Sequence, residues 1–148
     1  MQTKSFLNEI TFDRQGLVPA VIQDAKTDRL LMVAYMNRQS LLRTLVTGKT
    51  HFWSRSRRKL WCKGETSGYT QRIRSICLDC DGDALLIKVK QKTAACHTGY
   101  YSCFFRKLDR KGKAWKVVGR KMFSPKVVYK RKLKKNVLSR KRRIYQKG

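Results

Sequence analysis

Two apolar runs, Val18 to Ala25 and Leu30 to Tyr35, are separated by only four residues, "KTDR". This pair constrains the fold more than any other feature. Neither run has helical spacing and the polar link is the length of a tight connection, so the two read as a β-hairpin. The chain after it turns helical: Asn37 caps a helix over Arg38 to Thr47, Leu41, Leu42, Leu45 and Val46 share one face, and Gly48 stops it. Further on, "ALLIKVK" from Ala84 to Lys90 alternates as a strand, with Leu85, Ile87 and Val89 on one side. A second helix is expected near Pro125 to Leu133, where proline suits the first turn. The expectation is a mainly β (α+β) fold, antiparallel sheets with one or two short helices, and no internal repeat.

With 148 residues the chain is long enough to bury one core of its own. Its longest apolar runs, such as Leu30 to Met36, are far shorter than the roughly 18 residues that cross a bilayer, and no signal-like block opens it. A cytoplasmic protein with no membrane partner is therefore expected. The net charge of +27 is unevenly placed, because residues 106–148 hold 19 Lys and Arg against one acid. Such a block attracts polyanions, and nucleic acid is expected as a partner only through this basic tail.

An odd set of five cysteines without a secretion signal favours metal ligation or nucleophilic chemistry over a disulfide framework. Cys80, Cys96 and Cys103 are spaced C-x15-C-x6-C, and His97 follows the second directly. Three protein ligands with a vacant fourth position suit a catalytic zinc ion, which lowers the pKa of water bound there to about 7. Buried, inert thiols are the plain alternative. Another alternative recruits Cys77 through the C-x-x-C of Cys77 and Cys80, making a four-thiolate zinc ribbon that stabilises a basic nucleic-acid-binding module. Strand alternation around "RSICLDCD" and the lack of a second C-x-x-C weigh against that ribbon. Cys62 lies outside both schemes and is expected to pack.

Within "DCDGD" an extended backbone turns Asp79, Asp81 and Asp83 to one face and Cys80 to the other. Hard carboxylate oxygens suit magnesium and thiolate suits zinc, so one reading of this short segment is that it serves two different metals. An EF-hand is excluded, since Ala84 stands at the position that needs glycine and Lys90 at the one that needs glutamate. The alternative is an acidic turn made possible by Gly82.

The stretches "WCKGETSGYTQ", "DCDGDALL" and "ACHTGYYSCF", in that order, strongly resemble the phosphoribosyl-AMP cyclohydrolase family of histidine biosynthesis. Similarity begins near "GLVPAVIQDA", passes through "LMVAYMN" and "HFWSRSR" to about Phe105, and echoes weakly in "WKVVG" and "FSPKVVYK". The resemblance implies a cyclohydrolase domain over residues 1–108 with an extension over 109–129, while the composition of residues 130–148 leads to the expectation of a flexible basic tail. It implies a homodimer with zinc between subunits, Cys80 from one and Cys96 and Cys103 from the other, and magnesium at Asp79, Asp81 and Asp83. The implied reaction is hydrolytic opening of the adenine ring of N1-(5-phosphoribosyl)-AMP at the C6–N1 bond. His97, beside a ligand, is the expected proton carrier, with bracing of the zinc site as the alternative role. Arg55, Arg57, Lys63 and the loop Gly64, Glu65, Thr66, Ser67, Gly68 are expected to hold phosphate and ribose. Trp53 or Trp61 is a candidate to stack on adenine, and His51 is expected to be structural. The chain departs from the family's usual pattern at Tyr69, where a phenol narrows the pocket, and at Thr93, where glycine is common. The basic tail is a third departure, and the chain is too short for the pyrophosphohydrolase domain fused to many relatives.

Overall fold

In the computed structural model, which describes residues 6–131, β1 (Val18–Asp24) and β2 (Leu30–Met36) form the expected antiparallel hairpin, with Val18 opposite Met36 and Ile22 opposite Met32. Every second residue of β1 points inward: Val18, Ala20 and Ile22 are buried, and so is Asp24 at the strand's end. Burial alone pulls the Asp24 carboxyl up, but hydrogen bonds from Thr27, Tyr101 and the backbone of Lys26 and Thr27 outweigh it and hold it below the usual carboxylate range. That arrangement locks the "KTDR" turn onto the rest of the molecule.

The hairpin is the centre of a six-stranded sheet. β3 (His51–Ser54) and β4 (Lys59–Cys62) extend it beyond β2, while β6 (Leu85–Gln91) and β5 (Gln71–Leu78) extend it beyond β1. Four of the ladders are antiparallel; β1 and β6 run parallel, with Ala20 opposite Leu85. The sheet is mostly antiparallel as expected, and this one ladder departs from that pattern. Alternation in "ALLIKVK" marks which side chains face the core, and Leu85, Ile87 and Val89 are buried as expected. It carries no information on the direction of a neighbour brought in from 65 residues earlier.

The first helix, α1 (Arg38–Thr47), has the anticipated ends. The Asn37 side chain accepts from Ser40 N, Ser40 Oγ accepts from Asn37 N, and Gly48 closes the helix at φ 69. Which side faces inward differs from the apolar pattern. The buried residues are Ser40, Leu41 and Thr44, whereas Leu42, Leu45 and Val46 are exposed, Val46 by 82%. The cause is hydrogen bonding to β3: Thr44 Oγ1 donates to Ser40 O at 2.8 Å and accepts from His51 N at 2.8 Å. Only Leu41 of the apolar stripe reaches the core, and the rest of the stripe faces outward.

The core joins Leu7 and Ile10 from the N-terminal segment, the inward residues of β1, β2 and β6, and Leu41, Phe52 and Ala95. Beyond it, β7 (Arg106–Leu108) and β8 (Trp115–Val117) form a separate exposed ribbon. Residues 125–131 are helical, starting at Pro125 as expected. Leu133 and the tail from 132 onward lie outside the described residues. Among the described residues, no helix is long and apolar enough to cross a membrane.

Candidate active site

A cleft of about 680 Å³ opens on the β2–β3–β4 side of the sheet. Tyr35, Trp53 and Trp61 supply aromatic walls, the β4–β5 loop supplies Lys63 to Ser67, and the segment after β6 supplies Ala95, His97 and Cys103. Of the residues expected to act, Arg57, Lys63, Gly64, Glu65, Thr66, Ser67, His97 and Cys103 thus meet in one place. Cys80, Cys96 and the three aspartates do not line the cleft, and neither do two of the residues expected to hold substrate, Arg55 and Gly68. Arg55 lays its guanidinium over the Tyr35 ring, 3.9 Å from the centroid, and so braces an aromatic wall. Gly68 donates its N–H to Gly64 O at 2.7 Å and closes the loop.

Glycine is required at position 64. Its φ is +82°, and a Cβ there would come within 2.6 Å of Thr70 N. Glu65 folds back on the same turn, its carboxylate accepting from Cys62 N at 3.4 Å. Lys63 reaches across the cleft to donate to the Ala95 carbonyl. Burial holds its ammonium below the usual lysine range, while the sulfurs of Cys103 and Cys96 pull it back up. The lysine therefore sits beside the thiols, joining the two loops that frame the cleft.

A polar network inside the sheet fixes the same two loops. Thr50 Oγ1 donates to Gln71 Oε1 at 2.8 Å, and Gln71 Nε2 donates to Gln91 Oε1 at 2.7 Å. Gln91 Nε2 then donates to the carbonyls of Lys92 and Ala94, at 2.9 and 3.2 Å. Thr93, between them, has φ 57. The turn keeps the left-handed shape that glycine adopts freely, and a β-branched residue is strained in it. Thr93→Gly is expected to raise stability by about 1 kcal/mol, measured as a higher denaturant midpoint at unchanged slope.

Cys96 is buried, with Sγ 2.9 Å from Thr98 Oγ1. Cys103 keeps an exposed edge although protein crowds its sulfur. That crowding, with the charge of Cys96 and the hydrogen bond between the two sulfurs, pushes the Cys103 thiol up to about 12 against the pull of Lys63. Two soft donors therefore lie side by side at the cleft. Cys80 is elsewhere: among the described residues it joins no group with Cys96 and Cys103 in which all ligand atoms lie within 4.8 Å. Nor is there a four-cysteine cluster of the ribbon type among the described residues. Cys77 stands exposed on β5 opposite Leu86.

Asp79, Asp81 and Asp83 do form such a group, with ligand atoms all within 4.8 Å. They converge through a turn, the alternative that Gly82 offered, and not through the extended backbone expected of this stretch. Asp79 Oδ1 accepts from Asp83 N at 3.0 Å and Ala84 N at 3.1 Å, wrapping the chain around its own side chain. Desolvation raises the Asp79 carboxyl, and these N–H groups together with hydrogen bonding to the Asp83 and Asp81 side chains more than offset it; Asp83 is pushed up by its hydrogen bond with Asp79 and by the charge of Asp81. Gly82 lets the turn press on the N-terminal segment, since a Cβ there would lie 2.6 Å from Glu9 O. His51 has the expected structural place, its Nδ1 donating to Lys49 O at 2.8 Å. The sequence reading missed Tyr129, which reaches the cleft from the C-terminal helical segment.

Comparison with known proteins bears on this arrangement directly. Residues 32–105 match the phosphoribosyl-AMP cyclohydrolase family model. The phosphoribosyl-AMP cyclohydrolase of Pelotomaculum thermopropionicum is 55% identical over 123 residues, 83% of this chain and 95% of that protein. The chain belongs to the phosphoribosyl-AMP cyclohydrolase family. A phosphoribosyl-AMP cyclohydrolase from Chlorobium phaeovibrioides is 50% identical over 87% of the chain and 93% of its own length. A histidine biosynthesis bifunctional protein of Thermoanaerobacter pseudethanolicus matches at 52% identity over 85% of the chain but 57% of that longer protein. All three motifs singled out in the sequence lie within the residues matched by the cyclohydrolase model, and two of them frame the cleft.

Proposed function

We propose that the protein is a phosphoribosyl-AMP cyclohydrolase of histidine biosynthesis, opening the adenine ring of N1-(5-phosphoribosyl)-AMP by hydrolysis of its C6–N1 bond. The observation that carries this reading is the meeting of the Lys63–Ser67 loop, His97 and the Cys96–Cys103 pair around one cleft, although nearly 30 residues separate the first from the others.

The donor sets fit two different metals. Cys96 and Cys103 offer adjacent thiolates, a soft pair suited to zinc, and a third sulfur comes from Cys80 of a second copy of the chain. Two features support this homodimer: Cys80 stands apart from the pair within one chain, and α1 turns Leu42, Leu45 and Val46 outward. Asp79, Asp81 and Asp83 present clustered oxygens suited to magnesium. Zinc, when bound, supplies a Lewis acid that makes water a nucleophile at neutral pH.

The chain's own residues do the rest. The Arg57 guanidinium and the N–H groups of Gly64, Thr66 and Ser67 hold the substrate's phosphates, the Glu65 N–H being taken by the Cys62 carbonyl. Trp53 and Trp61 give the base flat apolar walls. Ring opening puts the water oxygen on C6, which becomes a carboxamide carbon, and one water proton on N1 as the C6–N1 bond breaks. His97 is the imidazole facing the cleft, and it takes the proton from oxygen and returns it to N1. The test is ring opening of phosphoribosyl-AMP followed by ultraviolet absorbance. Activity that disappears on chelation and returns with zinc is the expected result; full activity in protein free of zinc would refute the metal's role.

A further inference from the structure

We propose that Tyr129, carried on the arm formed by residues 121–131, is a substrate-positioning residue whose ring packs against the purine base in the cleft. The inference rests on the cleft being the cyclohydrolase site. The family model ends at residue 105, so nothing in that match assigns this arm a role.

The arm is fastened to both loops that build the cleft. Met122 N donates to Gly99 O at 2.7 Å, and Lys121 forms a β-bridge with Tyr100. Both partners lie between Cys96 and Cys103. Gly99 has φ +103, and a Cβ there would strike the Phe123 carbonyl, so the loop accepts the arm only because this residue is glycine. On the other side Phe123 packs edge-on against Tyr69, with centroids 4.9 Å apart and planes at 61°. Tyr69 follows directly on the Gly64–Gly68 loop. The departure that Tyr69 represents is thereby given a use: its phenol is the seat of the arm.

From these anchors the chain turns at Ser124, whose carbonyl accepts from Val127 N at 3.1 Å and Val128 N at 3.2 Å. The helical turn returns Tyr129 to the cleft, where it lies half-buried. A flat, partly open ring in the cleft that Cys103 also lines is suited to a base rather than to a phosphate, and the sulfur end of the cleft is where C6 must lie. Arg57 and the loop amides serve the charged groups, and the ring aligns the purine between them and the thiols.

The test compares steady-state kinetics on phosphoribosyl-AMP for Tyr129→Ala, Tyr129→Leu, Tyr129→Phe and Arg57→Ala in the full-length protein, with zinc content and melting temperature as controls. Loss of the ring is expected to raise KM roughly 10-fold with kcat changed far less. Tyr129→Leu, which keeps the bulk, should behave like alanine, and Tyr129→Phe should recover most of the affinity. If Arg57→Ala raises KM while the alanine and leucine variants at 129 keep the parental KM, the role of Tyr129 is overturned and the site stands. If Arg57→Ala also leaves KM unaltered, the cleft is not the substrate site and both readings fall. A kcat loss at constant KM in the Tyr129 variants likewise overturns the positioning role.

Discussion

Cys103→Ser protein is expected to purify folded, to carry roughly a tenth or less of the parental zinc, and to show no measurable ring opening. The fold survives because Cys103 lies outside the buried core and its structural bond is made by the backbone, Cys103 N donating to Leu31 O at 2.7 Å. Zinc does not survive because serine's hydroxyl keeps its proton at neutral pH, and the remaining sulfurs lose the partner that completes the set. Lys63 is then left beside Cys96 alone. Cys77→Ser is the counterpart: this thiol is exposed on β5, so zinc and turnover should match the parent. Elemental analysis and the absorbance assay read both variants. A four-cysteine ribbon would instead lose zinc and structure in either one.

The second large effect concerns His97. Its removal as alanine is expected to lower kcat by roughly 100- to 10,000-fold, the usual contribution of a positioned acid or base. Zinc content, KM and melting temperature should stay near parental, because the side chain is exposed at the cleft and takes no part in the core. That combination separates proton transfer from bracing. If His97 only steadies the metal-binding segment, its loss should lower zinc content along with activity, and adding zinc should recover turnover.

Much of the local structure was legible in the sequence. The hairpin, the Asn37 and Gly48 ends of α1 and the inward set Leu85, Ile87, Val89 follow from periodicities that act over a few residues. Features set by distant partners were not. The parallel β1–β6 ladder depends on how the chain returns, and the inward side of α1 is chosen by the Thr44–His51 hydrogen bond rather than by its leucines. The three aspartates were legible as a cluster, with a turn at Gly82 as the alternative to an extended backbone; the wrapping itself was not, since it comes from Asp79 accepting backbone N–H groups ahead of it. The Gln71–Gln91 bond, made across β5 and β6, reads as two ordinary surface residues until those strands pair. Tyr129 was missed for the same reason, because its approach depends on Gly99 and Phe123. The cleft's frame was visible early because its chemistry is concentrated in short motifs.

The claim on which the mechanism depends is that two copies of the chain build each zinc centre. Cys80→Ser and Cys103→Ser proteins, each inactive alone, should be unfolded together, refolded as a mixture and assayed for ring opening. A mixed dimer has one site made of intact Cys80 from one chain with intact Cys96 and Cys103 from the other. The mixture should therefore recover about a quarter of parental activity and of parental zinc. No recovery in a mixture shown by mass spectrometry to contain the mixed dimer would contradict the shared site.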